Sequence, residues 1–105
     1  METDALLEIL TKALENYQSI SWKRMFGCDA VFKDGVIFGL IWKEGRIGLK
    51  YVNSSDFDQR ISIDGASRWG PGGRITKHWI LLPSSVVIKS SELSEWIEKS
   101  YSTIV

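Results

Sequence analysis

The amino-acid sequence predicts an α+β domain of two layers, in which helices pack on an antiparallel sheet. Apolar residues recur at helical spacing near both ends of the chain, and they alternate with period two over residues 28–52. Glycine-containing turns separate the alternating segments, as in strands joined by hairpins. The predicted order of elements is therefore α-β-β-β-α-β-β-α. A chain of 105 residues fits one domain, which we expect to span residues 1–105.

Both terminal segments are predicted to form amphipathic helices. In the first, Thr3 and Asp4 are expected to cap the helix and to place negative charge in its first turn. The apolar face of this helix consists of Leu6, Leu10, Ala13, Leu14 and Tyr17. Ser90 or Ser91 is expected to cap the last helix. The apolar face of the last helix consists of Leu93, Trp96, Ile97, Tyr101 and Ile104.

Residues 28–52 are predicted to form a three-stranded antiparallel meander. Asp34-Gly35 and Glu44-Gly45 are its expected tight turns, because glycine adopts the positive φ that such turns demand. One face of the middle strand is expected to consist of Val36, Phe38, Leu40 and Trp42. One face of the next strand is expected to consist of Ile47, Leu49 and Tyr51. The residues expected on the opposite, outward face of that next strand are Arg46, Gly48 and Lys50.

The segment after the meander predicts a short helix, a loop and a further strand. Asn53 is expected to cap the short helix, which contains Phe57. Residues 64–73 form a predicted loop around Trp69, and the stretch RITKHWILLP predicts a strand that ends at Pro83, because proline has no N–H for a sheet ladder. The glycine-rich WGPGGR resembles a phosphate cradle only weakly, since it lacks the Lys-Ser/Thr ending of a P-loop and precedes a strand. We expect a connector there.

The charge balance gives no field that would draw the whole chain to nucleic acid or to an anionic membrane. Thirteen Lys and Arg residues balance thirteen Asp and Glu residues, although the basic residues concentrate between Lys23 and Lys77. The N-terminus lacks the pattern of a signal peptide, and no apolar stretch approaches the roughly 20 residues that cross a bilayer. A single cysteine cannot form an internal disulfide. These features predict a cytoplasmic protein without membrane attachment.

Candidate chemistry centres on Cys28 and His78, the only residues of their types. A catalytic cysteine needs a depressed pKa and a nearby base, but these two residues lie on separate predicted strands. Cys28 is therefore expected to be a small buried strand residue, and His78 a core or interface residue. Neither Cys-x-x-Cys nor His-x-x-x-His spacing occurs, so no metal site is expected. We expect no catalytic residues and no cofactor, and a small-molecule binder or enzyme that uses Cys28 and His78 remains an alternative.

Four stretches, taken in order, resemble the N-terminal domain of the TfoX/Sxy family. KRMFGCDAVFKDGVIFGLI resembles the opening of that domain, RIGLK its leucine-lysine strand, WGPGGRITKHWILLP its Pro-Gly-Arg segment, and LSEWIEKSY its closing helix. The residues that carry this match with expected structural roles are Arg24, Met25, Phe26, Gly27, Gly35, Phe38 and Pro83. The resemblance implies a two-layer α+β fold like that of secretion chaperones. It implies no established catalytic residues and no cofactor.

The leading functional interpretation is a non-enzymatic cytoplasmic binding or regulatory module that acts through protein–protein contacts. The family takes its name from regulators of natural competence, whose full-length members carry a second domain. The expected partner is an unknown protein, and the chain is also a candidate to form a homodimer. The residues expected to contact it through exposed tryptophan and basic side chains are Trp42, Arg46, Lys50, Trp69, Arg74 and Trp79. A nucleic-acid-contacting transcriptional regulator remains an alternative, favoured by the family name and by the central basic residues.

Overall fold

The structure, a computed structural model, describes residues 2–70 and 76–104 of the chain. Its helices and strands follow the order α1-β1-β2-β3-β4-α2-β5-β6-α3-α4. The helices are α1 (Thr3–Ala13), α2 (Ser54–Ile61), α3 (Ser84–Val87) and α4 (Ser90–Tyr101). The strands are β1 (Ile20–Met25), β2 (Cys28–Lys33), β3 (Val36–Trp42), β4 (Arg46–Lys50), β5 (Ser67–Arg68) and β6 (Trp79–Leu81).

Within the described residues, the strands form one antiparallel sheet of six strands in the order β1-β2-β3-β4-β6-β5. The strands β2, β3 and β4 are the predicted meander. The predicted turns at Asp34-Gly35 and Glu44-Gly45 join them, with positive φ at Asp34, Gly35 and Gly45. Strand β1 extends the sheet on one side of the meander, and β6 with the short β5 extends it on the other. The prediction of an α+β fold with helices on an antiparallel sheet is confirmed.

All four helices pack on the same face of the sheet. Each of them contributes buried side chains to one core on this face, which we call the helix-side core. Its helical members are Leu6, Leu10, Phe57, Val86, Val87, Leu93, Trp96 and Ile97, and its strand members are Val31, Phe38, Ile41, Ile47, Leu49 and Ile80. The Tyr51 hydroxyl donates to the Trp96 carbonyl at 2.7 Å, and Ser100 Oγ donates to the Lys50 carbonyl at 2.6 Å. These buried polar groups are therefore satisfied where α4 meets the sheet.

A β-bulge in β3 changes which face its side chains occupy. The pairing of β2 with β3 passes over Phe38, which is the extra residue of the bulge. Phe38 consequently joins the helix-side core, whereas Leu40 and Trp42 lie on the other face. The prediction that one face contains Val36, Phe38, Leu40 and Trp42 is therefore wrong, because strict alternation fails at the bulge. The prediction for Ile47 and Leu49, on the unbulged strand β4, is confirmed.

Gly39, beside the bulge, leaves room for the helix-side core. A Cβ atom at this position would lie 2.8 Å from Val31 Cγ1 and 3.2 Å from Leu49 Cδ2. The shorter distance is far below an ordinary carbon–carbon contact of about 3.5–4.0 Å. Two core side chains thus pack directly against the backbone of β3.

The predicted helix caps are confirmed for α2 and wrong for the terminal helices. Asn53 Oδ1 accepts a hydrogen bond from the Asp56 N–H at 3.0 Å, as predicted. Helix α1 instead has Glu2 at its N-cap and α4 has Lys89, and neither side chain makes a capping hydrogen bond. Thr3 and Ser90 are the first residues of these helices. Packing of their apolar faces therefore stabilises the terminal helices without a side-chain cap.

Candidate partner-binding surface

Three tryptophans pack together on the sheet face opposite the helices. Trp69, in the connection between β5 and β6, lies at their centre, with its ring centroid 5.4 Å from that of Trp42 and 5.1 Å from that of Trp79, both edge-on. We call these three side chains the tryptophan cluster. The other buried residues of this face are Cys28, Ala30, Phe32, Leu40 and Leu81. Edge-to-face aromatic pairs add about 0.5–1.5 kcal/mol each to the effect of burial, so this face has a core of its own.

The prediction that these tryptophans are exposed is wrong. Trp42, Trp69 and Trp79 are only 8%, 2% and 7% exposed. The bulge in β3 turns Trp42 to this face, and the rings then cover one another. Gly48 on β4 leaves room for two leucine side chains of this face, since a Cβ there would lie 3.1 Å from Leu40 Cδ1 and 3.3 Å from Leu81 Cδ2. The tryptophan cluster therefore supports a surface and does not itself form one.

The basic residues predicted to contact a partner also have structural contacts. Arg46 donates hydrogen bonds of 2.8–3.1 Å to Ser67 Oγ and to the carbonyls of Gly65, Leu81 and Leu82. These bonds join β4 to β5, to the segment before it, and to the end of β6 with the residue that follows. Lys50 is half-buried and pairs with Trp79 across the β4–β6 ladder. Arg74 lies outside the described residues, so its predicted contact stays a prediction.

The tryptophan cluster supports the turn between β1 and β2, which we call the aromatic turn (residues 25–27). Met25 pairs with Cys28, so only two residues form the loop itself. Phe26 packs edge-on against Trp69 at a centroid distance of 5.3 Å, yet Phe26 is 55% exposed. Met25 is exposed as well. The aromatic turn thus presents an aromatic ring and a thioether above a buried aromatic base.

The backbone of Phe26 is left-handed, with φ +56°, and that of Gly27 follows with φ +74°. Two positive φ values in a two-residue loop are typical of a type I′ turn. The turn at Asp34-Gly35 has the same feature, with φ +50° and +81°, and its residues are those that this turn type prefers. Phenylalanine has no such preference, and the left-handed region costs a residue with a Cβ about 1–2 kcal/mol. Turn geometry alone therefore does not explain an aromatic residue here.

Positive charge borders the aromatic turn. Lys23 Nζ lies 5.5 Å from the centroid of the Phe32 ring, on the face of the tryptophan cluster. Lys43 Nζ lies 5.1 Å from the centroid of the Trp42 ring. The Arg24 guanidinium lies 3.4 Å from the Asp29 carboxylate. It also donates a hydrogen bond to the Gly27 carbonyl at 3.0 Å. That ion pair is exposed and contributes little to stability. Lys23 and Arg24 directly precede Met25 in the chain, so β1 brings two basic side chains to the start of the aromatic turn.

The remaining motif residues lie within the fold. Phe38 is fully buried in the helix-side core, and Gly35 occupies the second turn. Pro83 is buried and forms the N-cap of α3, where its ring lies against Gly65. Phe26 differs from these residues because most of its side chain is exposed, and sequence reasoning assigned it only a structural role. The signal that could have identified it is an aromatic residue directly before glycine in a two-residue hairpin loop.

The structure does not bring Cys28 and His78 together. Cys28 begins β2, whereas His78 precedes β6, and β3 and β4 lie between these two strands. Three strand spacings of about 4.8 Å therefore separate them across the sheet. The His78 carbonyl accepts a hydrogen bond from the Tyr51 N–H, but His78 itself is exposed. The prediction that His78 lies in the core is wrong, whereas its alternative, an interface position, stays a prediction. The pair forms no catalytic dyad.

Cys28 is predicted to react slowly with alkylating reagents. Its thiol is buried and donates to the Met25 carbonyl at 3.1 Å. Burial raises the pKa of the Cys28 thiol, and the opposing effect of Arg24 is smaller. Because the thiolate is the nucleophile, we expect iodoacetamide to alkylate the native protein at least about tenfold more slowly than glutathione at the same mildly alkaline pH. The urea-unfolded chain is the control and should react like glutathione; native Cys28 reacting equally fast would contradict this assignment.

The described residues offer few other chemical sites. Within residues 2–70 and 76–104, no group of three or more His, Cys, Asp or Glu side chains is arranged to hold a metal ion. No helix in this part of the chain is long and apolar enough to cross a bilayer. The glycine-rich stretch weighed as a phosphate cradle falls largely on residues 71–75, outside the described residues. Within the described residues, we therefore take the exposed aromatic turn as the candidate functional feature of this face.

Comparison with known proteins identifies one family. The profile of the TfoX N-terminal domain matches residues 12–104, nearly the whole chain. This range includes the aromatic turn and every member of the tryptophan cluster. A search of curated proteins gives no match. The chain belongs to the TfoX N-terminal domain family.

Proposed function

We propose that the chain is a non-enzymatic binding module that acts through protein–protein contacts, with the aromatic turn as its contact surface. Phe26 and Met25 offer exposed apolar area, and Lys23 and Arg24 add positive charge beside it. Aromatic residues, methionine and arginine are enriched at protein interfaces. A regulatory role in the cytoplasm is part of the proposal, in keeping with the family and with the free thiol of Cys28.

A single observation carries the proposal: the exposed Phe26 has a left-handed backbone at the first position of its two-residue loop. The corresponding position of the other such turn is Asp34, a residue type that this turn prefers. Strained backbone tends to persist where function requires it. If Phe26 served only to cover Trp69, most of its ring would be buried against that residue. Instead the ring meets Trp69 by an edge-on contact, and the residue remains 55% exposed. An exposed ring held by a rigid base is suited to enter a pocket on a partner.

The proposal is tested by affinity capture from native cell extract with three versions of the full chain. These are the wild type, Phe26→Asn, and Ile88→Asn as a matched control. Asparagine tolerates the left-handed backbone, so Phe26→Asn keeps the turn and removes the ring. Ile88 is 66% exposed and follows α3 on the helix face, so its replacement removes exposed apolar area elsewhere. Captured proteins are quantified by mass spectrometry, with and without nuclease.

We expect a protein partner that survives nuclease and is captured by the wild type and by Ile88→Asn. Its recovery with Phe26→Asn should fall at least about tenfold, as for an interface hot spot. Equal recovery with all three versions would contradict the aromatic turn as the contact surface. Recovery of nucleic acid, or of partners lost on nuclease treatment and at raised salt, would replace the proposal with the nucleic-acid alternative.

A further inference from the structure

Strand β1 leaves one edge of the sheet without a neighbour in the part of the chain that the structure describes. In a hairpin with a two-residue loop, the residues that flank the loop exchange main-chain hydrogen bonds, and this pattern recurs at every second residue. Met25 therefore bonds to Cys28 of β2. The Ser19 carbonyl fits the same alternation, since it accepts from the N–H of Asp34, directly after β2, at 3.0 Å. By the same alternation, the N–H and C=O groups of Ile20, Trp22 and Arg24 point away from β2.

These outward main-chain groups are available for pairing. Among residues 2–70 and 76–104, no hydrogen bond outside the β1–β2 ladder uses the N–H or C=O of Ile20, Trp22 or Arg24. The side chains along the strand are exposed or half-buried. An edge of this kind accepts an extended segment as an additional strand, with affinity from main-chain bonds and specificity from side chains.

The charge of β1 selects the occupant. Lys23 lies on one face of the strand and Arg24 on the other, and the strand contains no carboxylate. A second copy of the chain paired along the same edge would bring two such pairs of cations into one ribbon, and like charges on paired strands are destabilising. An acidic segment would instead place carboxylates beside both cations. The charges thus favour an acidic partner over self-pairing.

We infer that the free edge of β1 binds an extended acidic segment of a partner protein as an additional antiparallel or parallel strand. This inference rests on the proposed function and deepens it, because the aromatic turn lies at the end of the same strand. Phe26 and Met25 would contact an apolar residue of the segment where it leaves the edge. The main-chain groups of Ile20, Trp22 and Arg24 hold the segment, and Lys23 with Arg24 selects its charge.

The test uses the full chain and a displayed library of random dodecapeptides. We expect the enriched peptides to be rich in Asp and Glu. A selected peptide, added at saturation, should slow hydrogen exchange of the Ile20, Trp22 and Arg24 amides at least about tenfold, as pairing at an edge requires. Methylating alternate main-chain nitrogens of the peptide should abolish binding in one register and spare it in the other. A peptide held only by side chains would not show this alternation.

Charge variants provide the matched control. Lys23→Glu should weaken binding of the selected peptide at least about tenfold, whereas Lys12→Glu, on an exposed position of α1, should leave it unchanged. Selected peptides without acidic excess, no selected peptide at all, or unprotected edge amides would each overturn the inference. Protection of the same amides that rises with protein concentration alone would also overturn it, because the occupant would then be a second copy.

The outcome for the edge is separable from that for the aromatic turn. If Phe26→Asn weakens peptide binding while the Ile20, Trp22 and Arg24 amides stay unprotected, the proposed function stands and the edge pairing is wrong. If the amides are protected and Phe26→Asn has no effect, the edge pairing stands and the aromatic turn is not the contact surface.

Discussion

Replacing Trp69 with alanine is expected to lower the free energy of unfolding by about 3–5 kcal/mol, the usual loss for a large buried aromatic residue. Trp69 is 2% exposed and touches three other aromatic rings edge-on, so its removal would leave a cavity at the centre of the sheet face. Urea denaturation followed by circular dichroism measures the change. A loss below about 1 kcal/mol would contradict the assignment of Trp69 as the base of this face.

Trp69→Phe is the matched control for that experiment. The Trp69 Nε1 atom is buried and has no hydrogen-bond partner among the described residues. Removing this N–H therefore breaks no hydrogen bond to another described residue, while the ring of phenylalanine keeps part of the aromatic packing. We expect Trp69→Phe to lose clearly less stability than Trp69→Ala. Equal losses would contradict aromatic packing as the source of the stability that Trp69 contributes.

Gly39→Ala is the second substitution with a large expected effect, a loss of about 1–3 kcal/mol from overpacking. The new Cβ would lie 2.8 Å from Val31 Cγ1, in the middle of the sheet where β2 and β3 are hydrogen-bonded. Gly39 cannot move without disturbing the bulge, and Val31 cannot move without disturbing the helix-side core. The same denaturation experiment measures the loss.

Two further variants identify the cause of the Gly39→Ala effect. Gly48→Ala meets only side-chain ends at 3.1 and 3.3 Å, and the lower entropy of its unfolded chain offsets part of the strain, so we expect a loss below about 1 kcal/mol. Val31→Ala removes the atom that the new Cβ meets. The Gly39→Ala/Val31→Ala double variant should therefore lose less than the sum of the single losses, by at least about 0.5 kcal/mol. Additive losses would contradict the contact with Val31 as the cause.

Local sequence signals predicted much of the fold. Asp34-Gly35 specifies a tight turn by its own conformational preference, and Asn53 caps α2 through a bond to a residue three positions away. The alternation of Ile47 and Leu49 follows from an unbulged strand. In each case the determining interaction lies within a few residues of the chain, so the pattern is visible without tertiary information.

The remaining features depend on contacts between distant segments. The bulge at Phe38 lies where β3 pairs with β2. It places Trp42 on the opposite face from Phe38, whereas strict alternation assigns both residues to the same face. Strand β1 has a mostly exposed pattern, so hydrophobic alternation does not mark it as a strand. Its pairing with β2 is what defines it.

The three tryptophans predicted to contact a partner do lie together on one face of the sheet, but the prediction that they are exposed is wrong. Tryptophan content suggested an aromatic patch, and composition alone does not distinguish a buried ring from an exposed one. Trp42, Trp69 and Trp79 bury one another only because the sheet and the connection after β5 bring them together. Phe26, assigned a structural role from the motif, is the ring that remains exposed.

The central claim is that Phe26 occupies the aromatic turn for contact with a partner and not for the fold. The unfolding free energy of Phe26→Asn tests it most directly, with Trp69→Ala as the reference for a structural aromatic residue. Asparagine relieves about 1 kcal/mol of left-handed strain, which offsets the loss of the edge contact with Trp69, itself worth about 0.5–1.5 kcal/mol. We therefore predict a stability within about 1 kcal/mol of the wild type. A loss of about 3 kcal/mol or more, equal to that of Trp69→Ala, would show that Phe26 is part of the core and would contradict the claim.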